Sequence, residues 1–531
     1  MKHYTFFILS LAFFVSLSSC GGKSRALSEE ETVISEDLKS RFSNVELLQF
    51  GSDTLLASEE VLDYYSKRDF APIWVTKTGF NDNGEAMVEL VKNSKSHGFM
   101  PEMFNYSKLE AAKESSLLDA EMILSNAFML FITHIDVGCI DTVGGSHYRW
   151  KKDLIDFKIE DELDRAASGE DVVEVIRSHE PDFAEYKDLQ AGLAHFLEQY
   201  PLDTNHYSIP AFKDDSVACY AAAHQALLGH SFIDSSISAQ DSVFIDQIKV
   251  FQKINGLLDD AIVGKWTGRA LEKSNLDRYY SAALCLEKWR WRAPFPETYI
   301  RVNVPEFTLY FVDSAEVKRK HRVVVGAYAT QTPEFHATMK TMVTNPFWHV
   351  PYSISSTEIL YGAKKDTGYF AKKGYKVFQD GKVIDPKTVD WSKVKQSTFR
   401  YKVRQDGGSG NSLGRIKFLF PNEHFVFIHD TPSKRLFQND VRAYSHGCVR
   451  LHEPFDLAHA ILIADGQAMH KDTIDSIIVR GNQRVLELED PFEVFIEYYT
   501  ATADSSGNVI FHPDIYGRDE KFISNTFKKF N

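Results

Sequence analysis

The spacing of apolar residues changes along the chain, and this change limits the folds that it can adopt. In residues 108–136 and 181–199, apolar side chains recur every three or four positions, which is typical of amphipathic helices. Residues 299–304 and 308–312 contain apolar positions that alternate or run together, as they do in strands. A purely helical or purely stranded chain is therefore excluded. We predict a multidomain α+β protein, in which a helical scaffold precedes a mainly-β domain.

Length and turn residues set the expected domain boundaries. A chain of 531 residues suggests about three domains. We expect a helical scaffold over residues 47–235, a small three-helix unit over 236–276 and the mainly-β domain over 296–485. Residues 355–403 are rich in Gly, Lys and Tyr and form a predicted insertion in that domain. Residues 486–531 are expected to be an extension that packs on the scaffold or on the mainly-β domain.

Composition excludes two broad classes of protein. Hydrophobic residues make up 44% of the chain, which rules out wholesale disorder. The 60 basic and 74 acidic side chains give a formal net charge of −14. A generally basic nucleic-acid-binding protein is therefore not expected.

The beginning of the chain has the pattern of an export and anchoring segment. Residues 1–20 have a basic start, an apolar run and small residues before Cys20, as a secretory signal does. This end resembles the bacterial lipoprotein processing box, which predicts lipidation of Cys20. The alternative is an ordinary cleaved signal with an incidental cysteine. The acidic, polar residues 21–46 are interpreted as a tether, so we expect a lipid-anchored protein on the periplasmic side of the cell envelope.

The remaining four cysteines fall into two groups. Cys139, Cys219 and Cys285 have apolar neighbours, and we expect them to be buried packing residues rather than disulfide partners. Cys448 lies instead among polar and histidine residues. The sequence therefore predicts a separate role for this thiol.

The neighbours of Cys448 suit a catalytic thiol. His446 lies two positions before it, Gly447 directly before it and His429 nineteen positions before it. A cysteine thiol is mostly protonated at neutral pH and needs a base, and glycine can turn backbone N–H groups toward a developing oxyanion. One alternative is a zinc site that recruits both histidines, the thiol and His452. The other is an inert buried cysteine beside a structural histidine.

The same region resembles the signature of the L,D-transpeptidase catalytic domain, a cysteine family that cross-links bacterial peptidoglycan. The matching residues are His429-Asp430-Thr431 and Ser445-His446-Gly447-Cys448-Val449-Arg450-Leu451, and the spacer from Asp430 to Tyr444 is fifteen residues long. The stretches NPFWHVPYSI at 345–354 and NSLGRIKF at 411–418 resemble the large, scaffolded periplasmic branch of this family.

The resemblance implies a role for each matching residue and requires no cofactor or metal. Cys448 is the expected nucleophile and His429 the expected general base. His446 and Gly447 line the site, and N–H groups around Gly447 and Cys448 stabilise the oxyanion. Asp430 follows His429 on a strand and points to the opposite face, so a backbone carbonyl or a loop side chain is the expected third member. The expected substrate-binding residues are Ser445, which also braces the loop, Arg450, for which a bracing role is the alternative, and Tyr352.

The implied reaction is acyl transfer through a thioester. The thiolate attacks the carbonyl of the third residue of a stem tetrapeptide, the terminal D-Ala leaves, and the side-chain amine of a neighbouring stem forms a 3→3 cross-link. Peptidoglycan stem peptides are thus the expected partners. Two other functions stay open: an L,D-carboxypeptidase or hydrolase with the same chemistry, and a non-catalytic wall-tethering lipoprotein. The insertion at 355–403 is expected to be a lid that limits access of water, or else a passive surface excursion.

Residues 236–276 resemble the three-helix peptidoglycan-binding domain. The matching residues are Phe251-Gln252, Asn255-Gly256-Leu257, Val263-Gly264 and Thr267. Ala261 stands where glycine is usual. The resemblance implies binding to the cell wall, and the alternative is a helical hairpin without a ligand.

Overall fold

A computed structural model describes residues 27–43, 48–50, 53–142, 147–366, 368–467 and 471–530. The chain divides into two compact units. The described residues up to Val91 belong to the first unit, together with Phe104–Phe131 and Asp156–Ser178. The second unit contains Lys92–Met103, Ile132–Ile155 and the described residues from His179 onward.

The first unit is mainly helical, as predicted for the scaffold. Its fully buried Glu121 accepts hydrogen bonds from the backbone N–H groups of Ile73, Trp74 and Val75, at 2.6, 2.9 and 3.0 Å. Two short strand pairs accompany the helices: Gln49–Phe50 with Asp53–Thr54, and Val75–Thr76 with Gly79–Phe80. The helices that lie wholly or mainly in this unit are Glu29–Phe42, Ser58–Lys67, Asp82–Lys92, Tyr106–Ser115, Leu117–Val137, Ile159–Ala167 and Val172–Arg177.

One of these helices is apolar enough to resemble a membrane span. Leu117–Val137 has the length and composition to cross a membrane, but 89% of its most apolar stretch is buried inside the protein. Such burial is what a core helix of a globular protein shows.

The prediction of a tether over residues 21–46 is wrong for part of that segment. Glu29–Phe42 is a helix that begins with a capping box between Ser28 and Glu31. The glutamates that suggested a tether lie in its first turn, where they interact favourably with the helix dipole. Residues 21–26, 44–46 and the predicted signal with Cys20 lie outside the described residues. The apolar side chains that this helix buries are Ile34, Leu38 and Phe42.

Two helices lie wholly within the predicted three-helix unit, and the helix that shares their core precedes its predicted first boundary. Ser242–Ile254 and Lys265–Leu271 share a hydrophobic core with Ser216–Gly229, which precedes residue 236. That first helix is rich in alanine on several faces, so its sequence has no clear helical periodicity. The shared core includes Cys219, Leu227, Phe244, Ile248, Phe251 and Leu271.

The mainly-β domain is built on a nine-stranded mixed sheet. Thr308–Asp313 also pairs with Glu316–Gly326, so the sheet curls back on itself. Helix Pro454–Ala464 packs on the core side through Leu457 and Ile461. In spatial order the strands are Ala443–Ser445, Glu316–Gly326, Val449–Leu451, Ile428–His429, Ile416–Leu419, Phe335–Thr344, Arg484–Glu497, Tyr299–Asn303 and Thr308–Asp313.

The predicted end of this domain at residue 485 is wrong. Arg484–Glu497 lies inside the sheet, antiparallel to Phe335–Thr344 and parallel to Tyr299–Asn303. The pairing shifts between Thr341↔Glu487 on one side and Met339↔Phe492 on the other, around the interruption at Asp490-Pro491. This bulge breaks the strand pattern in the sequence.

The rest of the second unit consists of further helices and two short strand pairs. Ile140–Asp141 pairs with His147–Tyr148, and Ala501–Ala503 with Val509–Phe511. Cys139, Cys219 and Cys285 are free and buried, as predicted. The remaining helices of eight residues or more are Ala184–Gln199, Asn275–Arg290 and Lys471–Val479, and Glu520–Thr526 is shorter.

The insertion is a folded subdomain that extends beyond its predicted limits of 355 and 403. We call residues 348–405 the inserted subdomain. Its four strands, in spatial order, are Trp348–His349, Lys402–Gln405, Tyr375–Gln379 and Lys382–Ile384. Its helical segments are Tyr352–Ile354, the π-helix Ser355–Ile359, Leu360–Lys365 and Tyr369–Lys372. It has its own core, which includes Ile359, Leu360, Phe370, Val377, Trp391 and Val403.

Candidate active site

Two adjacent parallel strands bring the predicted base and nucleophile to one face of the sheet. Ile428 pairs with Val449, and His429 with Arg450. Ile428 and Val449 are fully buried in the core. Because side chains alternate between the faces of a sheet, His429 and Arg450 lie on the opposite face, and so does Cys448.

His429 is held as a neutral imidazole. Its side chain is buried, and Nδ1 lies 2.5 Å from the backbone carbonyl oxygen of Asp430. Burial lowers its pKa to about 4. Nδ1–H therefore donates to the carbonyl, which leaves the lone pair on Nε2 free to accept a proton.

The carboxylate of Asp430 points away from the histidine, as predicted. It accepts hydrogen bonds from the Arg415 N–H at 2.8 Å and from Lys434 Nζ at 2.6 Å. The group that orients His429 is therefore the backbone carbonyl of Asp430. The Asp430 carboxylate thus has the predicted direction, and the identity of a third catalytic member stays a prediction.

Cys448 is only partly exposed and has a protonated thiol at rest. Burial raises its pKa, although the charges of Arg450 and Lys417 act in the opposite direction. Its Sγ lies 3.9 Å from the backbone carbonyl oxygen of Phe425. A thiol in this state needs a proton acceptor before it can attack.

The cysteine loop, residues 445–448, is braced from within. The Ser445 hydroxyl donates to the Cys448 carbonyl at 2.5 Å and accepts from the Gly447 N–H at 3.1 Å. Gly447 has φ +108°, a conformation that favours glycine. The Cys448 N–H has no hydrogen-bond partner in the part of the chain that the structure describes. The buried Ser445 therefore braces the loop, and this geometry gives no support to its assignment to substrate binding.

The supporting role of three residues around the loop was not predicted from the sequence. Thr332 donates from Oγ1 to the Gly447 carbonyl at 2.8 Å and accepts from the Gly326 N–H at 2.9 Å. Tyr516 donates to the Gly326 carbonyl at 2.7 Å. A Cβ at Gly326 would lie 2.1 Å from the Thr330 carbonyl oxygen, so glycine is required there. These residues come from distant segments, and no local pattern connects them to Cys448.

His446 and Tyr352 both relate to the inserted subdomain. His446 Nε2 lies 2.5 Å from Oε1 of Glu358 in the π-helix. The Tyr352 hydroxyl donates to the Gln396 carbonyl at 2.8 Å, and its ring packs against Phe399. The contacts of Tyr352 thus lie within the inserted subdomain, whereas His446 links that subdomain to the cysteine loop.

The zinc alternative has no support in this geometry. His429 contacts a backbone carbonyl, His446 contacts Glu358, and the His452 ring packs against Phe437 at 5.0 Å. Across the described ranges, no three His, Cys, Asp or Glu side chains are arranged to hold a metal ion.

In the three-helix unit, the residues that carry the resemblance make contacts inside the protein. The Gln252 amide donates to Asp260 at 3.0 Å and to Thr267 at 3.2 Å, and it accepts from the Ala261 N–H at 2.8 Å. A Cβ at Gly256 would lie 2.8 Å from the His512 ring. These residues therefore stabilise the unit, and binding to the cell wall stays a prediction.

The sequence was compared with known protein families, and the region that contains the cysteine loop matches one of them. Residues 297–473 match the YkuD family, described as the L,D-transpeptidase catalytic domain. The chain therefore carries an L,D-transpeptidase catalytic domain. Residues 59–193 match the Scaffold domain family, which agrees with the predicted helical scaffold.

A curated relative covers part of the chain. The Haemophilus influenzae (strain Rd) protein named "Putative L,D-transpeptidase" is 31% identical over 223 residues. The match spans 42% of this chain and 45% of that protein, which is less than half the length of each. The L,D-transpeptidase family of the catalytic domain, predicted from the cysteine motif, is confirmed.

Proposed function

We propose that this protein is a peptidoglycan L,D-transpeptidase that forms 3→3 cross-links through a thioester on Cys448. The observation that carries the proposal is the neutral His429, locked at Nδ1, on the same face as the cysteine within an L,D-transpeptidase domain. The expected substrates are stem tetrapeptides of the cell wall.

In the first half-reaction, His429 Nε2 takes the proton of the Cys448 thiol as sulfur attacks the carbonyl carbon of the third stem residue. The tetrahedral oxyanion is stabilised by the free N–H of Cys448. The carbon–nitrogen bond then breaks, and the departing amine of D-Ala takes the proton from His429. The carbonyl carbon remains bound to sulfur as a thioester.

In the second half-reaction, the side-chain amine of a neighbouring third residue attacks the thioester. Its proton passes to His429 and then to the departing sulfur, which restores the thiol and completes the new amide. Water competes as a nucleophile. We propose that the inserted subdomain acts as a lid that limits this competition, and the contact of Glu358 with His446 supports a link between lid and loop.

Product analysis tests this function. Purified protein is incubated with a disaccharide tetrapeptide, and products are separated by chromatography with mass detection. We expect release of D-Ala and a cross-linked dimer, both lost in Cys448→Ala. Tripeptide without dimer would instead identify a carboxypeptidase. No reaction of the wild type, with full cellular function of Cys448→Ala, would identify a non-catalytic wall-tethering lipoprotein.

We further propose that the mature protein is anchored by a lipid at Cys20 on the periplasmic side of the cell envelope. The support is the signal-like residues 1–20 that end at this cysteine. Metabolic labelling with an alkyne fatty acid should label the wild type and not Cys20→Ala. Equal labelling of both proteins would contradict the anchor.

A further inference from the structure

Two cations flank His429 on the face that carries Cys448. Lys417 lies on strand Ile416–Leu419 and is paired with His429. Arg450, on the strand at the other side of His429, is also paired with it. The Lys417 ammonium also lies 5.6 Å from the centre of the Phe427 ring, which is itself 5.6 Å from the ring of His429. The two cations and the imidazole therefore form one transverse row beside the thiol.

Neither cation has a hydrogen bond or ion pair among the described residues. Both side chains are partly buried, and burial lowers the pKa of each. The carboxylate of Asp430 is occupied by Lys434, and that of Glu358 by His446. Partly desolvated cations without an anion are costly, so this row is suited to an anionic ligand.

The position of the row selects the anion. In a donor tetrapeptide, the α-carboxylate of the fourth residue is on the carbon attached to the leaving nitrogen. Attack by Cys448 places that nitrogen beside the thiol and therefore brings the carboxylate near the row. Arginine can bind a carboxylate through two hydrogen bonds, and lysine adds a point charge.

We propose that Lys417 and Arg450 form a receptor for the α-carboxylate of the donor's terminal residue. This inference rests on the proposed function and deepens it, because it makes Lys417 a residue that determines donor specificity. A scissile bond followed by a free C-terminal residue is accepted. A stem extended by a further residue, or blocked at its C-terminus, is rejected.

The test compares a carbapenem with its methyl ester as acylating probes. A carbapenem also carries its carboxylate on the carbon attached to the nitrogen that leaves, and the ester removes that charge. Adduct formation is followed by intact mass spectrometry. We expect the wild type to react with the acid roughly 10- to 100-fold faster than with the ester, as for a charge-assisted contact.

Variants assign the discrimination to the two cations. Lys417→Met and Arg450→Met should each reduce the acid-to-ester ratio about 10-fold, while Lys417→Arg retains most of it. Lys340→Met is the matched control, because Lys340 is an exposed lysine on the neighbouring strand Phe335–Thr344, and its ratio should equal that of the wild type. The rate of alkylation by iodoacetamide reports the thiol itself.

Three results overturn the receptor: a wild type that does not distinguish acid from ester, variants that keep the wild-type ratio, and variants that slow acid, ester and iodoacetamide equally. The last would mean that the cations act on the thiolate. The proposed function is separable from this test. If discrimination is observed but the wild type leaves tetrapeptides intact, the receptor stands and the transpeptidase proposal fails.

Discussion

The cysteine loop lies in a region that matches a known family, whereas the three-helix unit only resembles a known sequence pattern, and the two regions use their residues differently. Cys448 of the loop and His429 of the adjacent strand lie on the non-core face of the sheet, where Ser445 braces the loop and the Asp430 carbonyl orients His429. In the three-helix unit, Gln252 and Asn255 are buried and hydrogen-bonded within the unit. Residue spacing therefore predicts local structure in both regions. The direction of the side chains then distinguishes residues that are placed to react from residues that stabilise the fold.

The largest expected effect is loss of the base. His429→Ala should slow acylation of Cys448 by a carbapenem by roughly 10²- to 10⁴-fold, the usual contribution of general base catalysis. Stopped-flow fluorescence or timed mass spectrometry measures the rate, and His446→Ala is the matched control. Wild-type kinetics in His429→Ala would assign the base role to His446 and would contradict the role given to His429.

The second largest effect is expected from loss of the hydroxyl of Thr332, which supports the cysteine loop. Thr332→Val keeps the shape of the side chain but removes the hydroxyl that joins Gly326 to Gly447. Leaving two buried groups unsatisfied costs about 1–3 kcal/mol each. We expect a drop of about 10-fold in acylation rate, because displacement of the loop misplaces the thiol. An unchanged acylation rate together with a lower melting temperature would show that Thr332 stabilises the fold without positioning the thiol.

The state of His429 predicts an unusual pH dependence. Its pKa is lowered to about 4, so the imidazole stays neutral, and able to accept a proton, until the pH falls through that value. The acylation rate should therefore be nearly flat from pH 7 to pH 5 and fall below it. A histidine with an ordinary pKa near 6.5 would already lose most of the rate at pH 5. A midpoint near 6.5 would contradict the buried, neutral base.

A smaller effect is expected at the junction with the inserted subdomain. Glu358→Gln keeps the size of the side chain and removes the charge beside His446. Both side chains are well exposed, at 60% and 41%, so their contact contributes little free energy. We expect a change of a few-fold at most in the ratio of dimer to hydrolysed tripeptide. Thr357→Val, a substitution at the neighbouring position, is the control for local disturbance.

The smallest effect on chemistry is expected in the three-helix unit. Gln252→Leu leaves the Ala261 N–H and neighbouring buried groups without their partner, so the unit should lose about 2–4 kcal/mol of stability. Carbapenem acylation of Cys448 in the folded protein should be unchanged. Calorimetry and acylation kinetics on the same sample test both parts, and a matching loss of acylation would show that the unit supports the active site.

Local patterns carried the prediction of the site, and long-range pairings account for what was missed. Cys448 and His429 could be inferred as candidates because they lie in one short motif, whereas the orienting group stayed open between a backbone carbonyl and a loop side chain. Thr332 contacts the cysteine loop and Tyr516 supports it through Gly326, both from segments far away in the chain, and no spacing encodes that approach. The boundary at 485 failed for a related reason, because Pro491 lies in a bulge of a central strand.

The central claim is that Cys448 is an activated nucleophile, and intact mass spectrometry followed by peptide mapping tests it most directly. After incubation with a carbapenem near pH 7, we expect one adduct per chain, located on the peptide that contains Cys448. Cys139, Cys219 and Cys285 are buried and should stay unmodified. An unmodified protein, or an adduct on one of those three cysteines, would contradict the account.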